Sequence, residues 1–346
     1  MAAFTLTDAK NLSQDKLTNY VIDEFRKSPL LDAMVFDDTV KPQGGQTMSY
    51  VYNRVTTLPT AAGRELNTEY TPQEAKTSQV TVNLKVFGGS FSIDRVIAAH
   101  ETQVLNLVQF QLEQKSKAVR SLFADWFING DSAENTKAFD GLAKALKGSD
   151  TEITLEDSSL LDLSTAASLK ANWQSFLYEL RQAEKLLDGE PGVIGVNSDL
   201  FAVFQSVADL STQFQQTKSE LGTQIVKYGN AIIMNMGDKP GTSTPIIPTD
   251  EKTGTTDMYL FRIALDGVHG ITPEGNKEPK IYLPDMTRPG AVKTGEVEMV
   301  VAMALKATKA AAVLHGIKVV PGVSTTPAAS PSRAVYSASF DDITSR

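Results

Sequence analysis

Residues 90–129 read SFSIDRVIAAHETQVLNLVQFQLEQKSKAVRSLFADWFIN, with no glycine or proline before the NGD turn that starts at Asn129. The apolar positions Ile93, Ile97, Val104, Val108, Leu112, Val119, Phe123 and Trp126 recur in steps of three, four and seven. Such steps place them on one side of a helix of roughly 3.6 residues per turn. Gln103, Gln111, Glu113, Lys115, Lys117 and Arg120 fall largely elsewhere. Ser92 or Asp94 suits the start, accepting from the first free N–H groups, and Asn129-Gly130-Asp131 suits the stop. At about 1.5 Å per residue this predicts a helix about 50 Å long, against an average of roughly 11 residues. The rest of the chain is expected to hang on it as on a spine.

On its N-terminal side the period is two. Met48, Tyr50 and Tyr52 alternate with Ser49, Val51 and Asn53, and Val80, Val82, Leu84 and Val86 with Thr81, Asn83 and Lys85. Each run predicts a strand with one apolar face, the second broken by Gly88-Gly89. Between them Thr56–Ser78, TTLPTAAGRELNTEYTPQEAKTS, is polar and carries Pro59 and Pro72. So long a loop is uncommon in a compact domain unless it has a task. The pair predicts a long hairpin, and an isolated hairpin is marginal in water. Its apolar face needs another surface, which for a projecting hairpin belongs to another subunit. Met1–Val40 is polar and mixed, with an amphipathic piece at Leu17, Val21, Ile22 and Phe25 that stops at Ser28-Pro29. An apolar patch of Leu30, Leu31, Met34, Val35 and Phe36 follows. This segment reads either as a short packed helix or as an arm on a neighbour.

Downstream, Ser164–Leu187 predicts a second amphipathic helix on Leu169, Trp173, Leu177 and Leu180, stopped by DGEPG at 188–192. Val193–Val196 reads as a buried strand running into Asn197-Ser198-Asp199, a cap for a helix that holds Leu200, Phe201, Phe204 and Val207. Further strands are expected at Ala231–Met236, Met258–Ile263, Val297–Leu305 and within Ala310–Val320. From Pro321 the chain turns rich in Ser, Ala, Thr and Pro, which predicts a disordered or extended tail. The order of elements is α+β, not a regular alternation of parallel units.

The 346 residues are 41% hydrophobic, enough for a sizeable core in two domains or one elaborate one. Lys and Arg number 33 against 41 Asp and Glu, a formal charge of -8, so no overall basic surface neutralises phosphates. The absence of cysteine rules out disulfides, thiolate chemistry and Cys-based zinc sites. The start lacks a basic segment followed by an apolar one, and no apolar run approaches the ~18 residues that cross a bilayer, so no membrane partner is expected.

Motifs for chemistry are missing. His100, His269 and His315 are scattered outside any HExxH pattern and read as structural. Asp131-Ser132-Ala133-Glu134-Asn135 resembles the opening of a calcium loop, but Thr136 stands where its glycine belongs and Leu142 where its bidentate Glu belongs. No metal and no cofactor is expected. GxSxG, GxxxxGK[ST] and GxGxxG patterns do not occur. Asp37-Asp38 and Asp341-Asp342 are adjacent carboxylates, which point apart on an extended chain. The chain does not read as an enzyme, although dispersed catalytic groups leave no motif.

The order of these parts resembles the major capsid proteins of tailed bacteriophages, with the fold named after phage Hong Kong 97. The residues that carry the resemblance are the polar arm, the charged hairpin and the long helix just after it. FINGD at 127–131, Gly141-Leu142, NSDLF at 197–201 and EVEMVVAMALKATKAAAVLHGIKV at 296–319 complete it. It covers about Met1 to Val320, and the tail departs from it. The resemblance implies an N-arm at 1–41, an E-loop hairpin at 42–90 and a P-domain with the spine helix at 91–158. It further implies an A-domain at 159–284, P-domain strands returning toward the A-domain at 285–320, and an added tail at 321–346.

The resemblance also implies self-assembly through pentamers and hexamers into an icosahedral shell around double-stranded DNA, found in the virion after assembly in the host cytoplasm. DNA would be contacted weakly and without sequence specificity. The net charge suits such an inner face and equally suits plain solubility. Further implied partners are a portal protein, a decoration protein and a separate scaffolding protein, the last because only a short arm precedes the hairpin. The E-loop would lie across the P-domain of the adjacent subunit, making Arg64, Glu65, Glu69, Glu74 and Lys76 the expected intersubunit contacts.

Two other readings stay open: an encapsulin-like compartment subunit that encloses cargo enzymes, and a soluble α+β enzyme with dispersed active-site residues. Some capsid proteins of this family join an E-loop lysine to an asparagine of a neighbouring P-domain, assisted by a glutamate. Lys76 and Lys85 stand on the lysine side, but residues 288–320 contain no asparagine. No covalent lock is therefore expected. Intact-mass analysis of denatured particles should give the monomer alone, and a ladder of covalent oligomers would contradict this.

Overall fold

A computed structural model describes residues 29–40, 45–57, 59–96, 107–155, 161–211, 214–218, 224–285 and 287–321. The expected helix at Leu17–Phe25, His100, Asp341-Asp342 and the tail lie outside these residues. Helix α1 (Leu30–Ala33) and strand β1 (Phe36–Asp37) open the described chain. Leu30, Leu31 and Met34 are buried in the core of their own chain, and the Phe36 ring lies 6.2 Å from Phe123. Apart from Val35, 43% exposed, the apolar patch is thus used internally.

Strands β2 (Ser49–Thr57) and β3 (Lys76–Asn83) form the expected hairpin as a separate two-stranded sheet. The strand breaks at Leu84 and continues as β4 (Lys85–Asp94), straight through Gly88-Gly89 and past Ser92, one of the two expected helix starts. At the other, Asp94, the chain turns helical at Arg95–Val96 and the Asp94 Oδ1 accepts from the Val96 N–H at 2.7 Å. Two expectations fail here for one reason. Phe87, Phe91 and Ile93 are buried at even spacing, and β4 pairs antiparallel with β13 (Val292–Leu305) from Lys85 opposite Val301 to Asp94 opposite Val292. A Cβ at Gly88 would stand 2.1 Å from the Val297 carbonyl oxygen, so the glycine permits close approach and does not end the strand. The spacing of Ile93 from its neighbours fits either period, and its pairing opposite Lys293 selects the strand for it. The break at Leu84 also leaves Val86 50% exposed, off the face that Val80 and Val82 share.

The described helix is α2 (Leu107–Asn129). Val119 and Phe123 are buried as expected, joined by Ala124, Phe127 and Ile128, while Trp126 is half-buried against the Phe87 ring at 4.9 Å. The loop after it leads to α3 (Leu142–Leu146) and closes on Lys144, whose ammonium lies 2.7 Å from Asp131 and 2.9 Å from Asp140.

A seven-stranded sheet follows in the order β5 (Glu152–Thr154), β14 (Ala311–Lys318), β10 (Thr255–Phe261), β6 (Val193–Val196), β9 (Ala231–Asn235), β8 (Gln224–Tyr228) and β7 (Phe214–Lys218). Its residues alternate between two cores. Val193, Tyr259, Phe261 and Val313 join the core that contains α2, while Ile194, Val196, Met258, Leu260 and Leu314 join a second core under α4 (Ala166–Lys185) and α5 (Ser198–Leu210). With both faces covered, Val193–Val196 is buried throughout. Thr165 and Ser168 form a capping box at α4, and the Asn197 Oδ1 accepts from the Leu200 N–H at 2.9 Å, the expected cap of α5.

The remaining sheet runs β1, β11 (Val268–Ile271), β13 and β12 (Lys280–Tyr282), with β4 also paired to β13. The fold is mixed α+β. Gly88→Ala should lower stability by at least the ~1–3 kcal/mol of an overpacked core, in a denaturant titration. Gly63→Ala, with nothing within 4 Å of its Cβ position, should leave the midpoint unchanged.

Candidate intersubunit interface

The β2–β3 hairpin pairs from Ser49 opposite Asn83 to Thr57 opposite Lys76, with an irregularity between Val55 and Thr57. Alternation sends Tyr50, Tyr52 and Arg54 to one face, where each binds its own chain. The Tyr50 hydroxyl donates to Asp37 Oδ2 at 2.6 Å and the Tyr52 hydroxyl to the Leu305 carbonyl at 2.8 Å. Arg54 Nε donates to the Lys306 carbonyl at 3.0 Å and Nη2 to the Leu305 carbonyl at 2.5 Å. Its guanidinium sits 5.9 Å from the Tyr52 ring, and the Lys306 ammonium 5.2 Å from the Tyr50 ring. The hairpin base therefore satisfies its apolar face internally, a correction to the expectation that a neighbour must supply all of that surface.

The electrostatics follow this packing. Burial raises the Asp37 carboxyl, but the Tyr50 hydroxyl, the Asp38 N–H and Lys306 outweigh it and hold the group below its ordinary value. Burial first and then the Asp37 bond push the Tyr50 phenol up. For Tyr52 burial wins over the opposing Arg54 charge.

Beyond the base, the hairpin reaches into solvent. Arg64, Glu65, Glu69, Glu74 and Lys76 are all exposed, and none of them joins an ion pair among the described residues. Arg64 and Glu65 are brought together in one turn. Arg64 Nη1 donates to the Thr68 carbonyl at 3.1 Å, Thr68 donates to the Glu65 carbonyl, and Asn67 takes a left-handed φ of 66°. Glu69 and Glu74 are spread along the tip, and Lys76 starts β3. Lys85 stands apart, its ammonium donating to the Thr136 carbonyl at 2.7 Å.

The residue-type reading overlooked the apolar part of this surface. Leu66 is 91% exposed and Tyr70 63%, the latter under the Arg64 guanidinium at 5.4 Å. Val51 and Val55 are exposed on the hairpin's outer face. Further exposed apolar residues are Ile281 and Tyr282 on β12, Leu283 just after it and Val292 at the start of β13. Leucine and tyrosine inside the polar run GRELNTEYT at 63–71 were the available signal.

On β14, His315 places Nδ1 2.9 Å from Asp257 and Nε2 3.3 Å from Glu152. The Asp257 hydrogen bond, against burial, raises its pKa. A cavity of about 740 Å³ beside the end of α4 is lined by Arg181, Glu184, Lys185, Glu190, Tyr228 and Asn230, and burial pushes the Glu184 carboxyl up. Among the described residues no cluster of three His, Asp or Glu groups could hold a metal ion.

No protein-family model and no curated protein matches the chain. Solved structures do. The holo-SrpI encapsulin complex of Synechococcus elongatus superposes with a TM-score of 0.59 at 13% identity, over 93% of this chain and 99% of that one. The capsid of a native GTA particle gives 0.59 at 10%, over 88% and 95%. The capsid of Myoviridae phage XM1 gives 0.57 at 11%, over 89% and 98%. The chain thus has the architecture of shell-forming proteins. That architecture is the Hong Kong 97 type implied by its element order.

The hydrogen bonds of Arg54 to Leu305 and Lys306 should set the hairpin's stability. Arg54→Ala is expected to speed amide exchange at 49–57 several-fold while leaving 193–196 unchanged, and equal change in both would contradict it.

Proposed function

We propose that this chain is the major capsid protein of a tailed phage. The observation that carries the reading is a hairpin anchored to its own chain at Tyr50, Tyr52 and Arg54 while its tip offers exposed Leu66, Tyr70 and unpaired charges to solvent. A monomer gains nothing from such a tip. In a shell it lies on the adjacent subunit's β4–β13–β12 sheet, where Ile281, Tyr282, Leu283 and Val292 are exposed.

In this reading residues 42–90 are the E-loop, 91–158 with α2 and 285–320 with β13 and β14 form the P-domain, and 159–284 with α4 and α5 form the axial A-domain. Residues 1–41 and 321–346 serve as arms. Arg64, Glu65, Glu69, Glu74 and Lys76 make exposed ion pairs worth about 0–1 kcal/mol each, so many weak repeats hold the shell together. The role is structural rather than enzymatic. Assembly runs in the host cytoplasm with portal and scaffolding proteins, and packaged DNA is held loosely by the net acidic chain. Among the described residues no helix is long and apolar enough to cross a membrane.

A second reading, an encapsulin-like compartment, is favoured by the 93% coverage against the SrpI encapsulin. Sedimentation velocity and negative-stain microscopy of the purified chain, alone and with a scaffolding protein, should reveal closed particles or rings of five and six. Nuclease-resistant DNA inside particles from infected cells supports the phage reading, and protein cargo supports the compartment. A monomer under every condition would contradict both.

A further inference from the structure

His269 lies on β11 with its side chain fully out of solvent at 0% exposure; neither ring nitrogen has a partner in good hydrogen-bond geometry, and the backbone at Gly267 and Ala264 offers only weak acceptors. Burying an imidazole without a partner is costly, and burying its cation more so. Its surroundings come from every element packed there. The Tyr50 ring of the hairpin meets it edge-on at 5.9 Å. Asp37 of β1 and Lys306, just past β13, are the charged groups nearby, and Ala304 of β13 is its pairing partner. Asp37 and the backbone at Gly267 and Ala264 favour the imidazolium. Burial, the larger effect, and then Lys306 oppose it, and the imidazole titrates below its ordinary 6.5.

The same Tyr50 is a clasp of the hairpin base, through its hydroxyl on Asp37. Seating the hairpin therefore covers His269 with an aromatic ring, and lifting the base would uncover it to water. We propose that His269 makes the seating of the E-loop hairpin on its own chain proton-linked, so that neutral imidazole favours the seated hairpin and acid favours the lifted one.

The sign follows from linkage. The seated state binds the proton more weakly than the open state, so its stability is full above 6.5 and declines as pH falls through the window below it. Asp37 adds a separate step at lower pH. Held below its ordinary 3.8, it keeps the Tyr50 bond until it is protonated, and it too releases the hairpin in acid. The two groups act in the same direction in different windows. The linkage belongs to the single chain and holds whichever shell the chain builds.

Hydrogen exchange of the full-length chain tests it, with rates corrected for the intrinsic effect of pH. In the wild type, protection of 49–57 should fall between about pH 7.5 and about pH 5, by up to about tenfold per unit within the window, while 193–196 stays constant. His269→Gln and His269→Phe, which cannot gain the charge, should keep the hairpin protected across that range, and Asp37→Asn should retain the wild-type step. Constant wild-type protection would overturn the proposal even if neither His269 variant folds. A step that survives in either variant would overturn it as well.

Discussion

The backbone pairing of β4 with β13 is the constraint on which the other parts of this structure depend. It joins Lys85–Asp94 to Val292–Val301, residues some two hundred positions apart in the chain. Because β4 leaves the hairpin directly and leads toward α2, that ladder fixes where both emerge. The far end of β13 then presents the Leu305 and Lys306 carbonyls to the hairpin, and Tyr52 and Arg54 fill those acceptors. Gly88 is the local condition for the ladder, since a side chain there would collide with Val297. An open strand edge is normally a liability, and β13 has none at Glu296–Glu298, where β4 pairs on one side and β12 on the other.

Much of this was legible from periodicity. The alternation at Tyr50–Tyr52 and Val80–Val82, the helix face at Val119 and Phe123, and the Asn197 cap are local signals, and local signals survive folding. The helix start at Asp94 was legible too, but the strand that runs up to it was not. Phe91 and Ile93 fit a strand and a helix equally, and the deciding partner lies near Lys293, far along the chain. Tyr50, Tyr52 and Arg54 were visible as one face of a strand, but nothing in the local sequence says that this face meets the end of β13. The interface suffered from a further bias. Charged residues in a polar loop draw attention, whereas Leu66 and Tyr70 become conspicuous only once their exposure is known.

Two cores back the seven-stranded sheet, and the hairpin runs into β4 of the other sheet. The seven-stranded sheet alternates Val193 against Ile194 and Phe261 against Leu260 between the cores, which makes the body rigid without a disulfide. At its base Tyr50, Tyr52 and Arg54 hold the hairpin to the Asp37 carboxylate and the Leu305 and Lys306 carbonyls, and among the described residues no hydrogen bond or ion pair ties its tip to the body. A rigid body with one defined projecting element is what repeated association between copies requires, because each contact is weak and must recur in the same geometry. Buried His269 under Tyr50 lies at the joint between the two.

The central claim is that the hairpin is rooted in one subunit and lands on the next. A cryo-electron microscopy map of the assembled particle, at a resolution that traces the backbone, addresses it directly. The account predicts continuous density from Tyr50, Tyr52 and Arg54 on their own chain to a tip whose Leu66 and Tyr70 rest on the neighbour's Ile281–Leu283 and Val292 surface. A tip folded back on its own subunit, or pointing into solvent with no neighbour within contact, would contradict it.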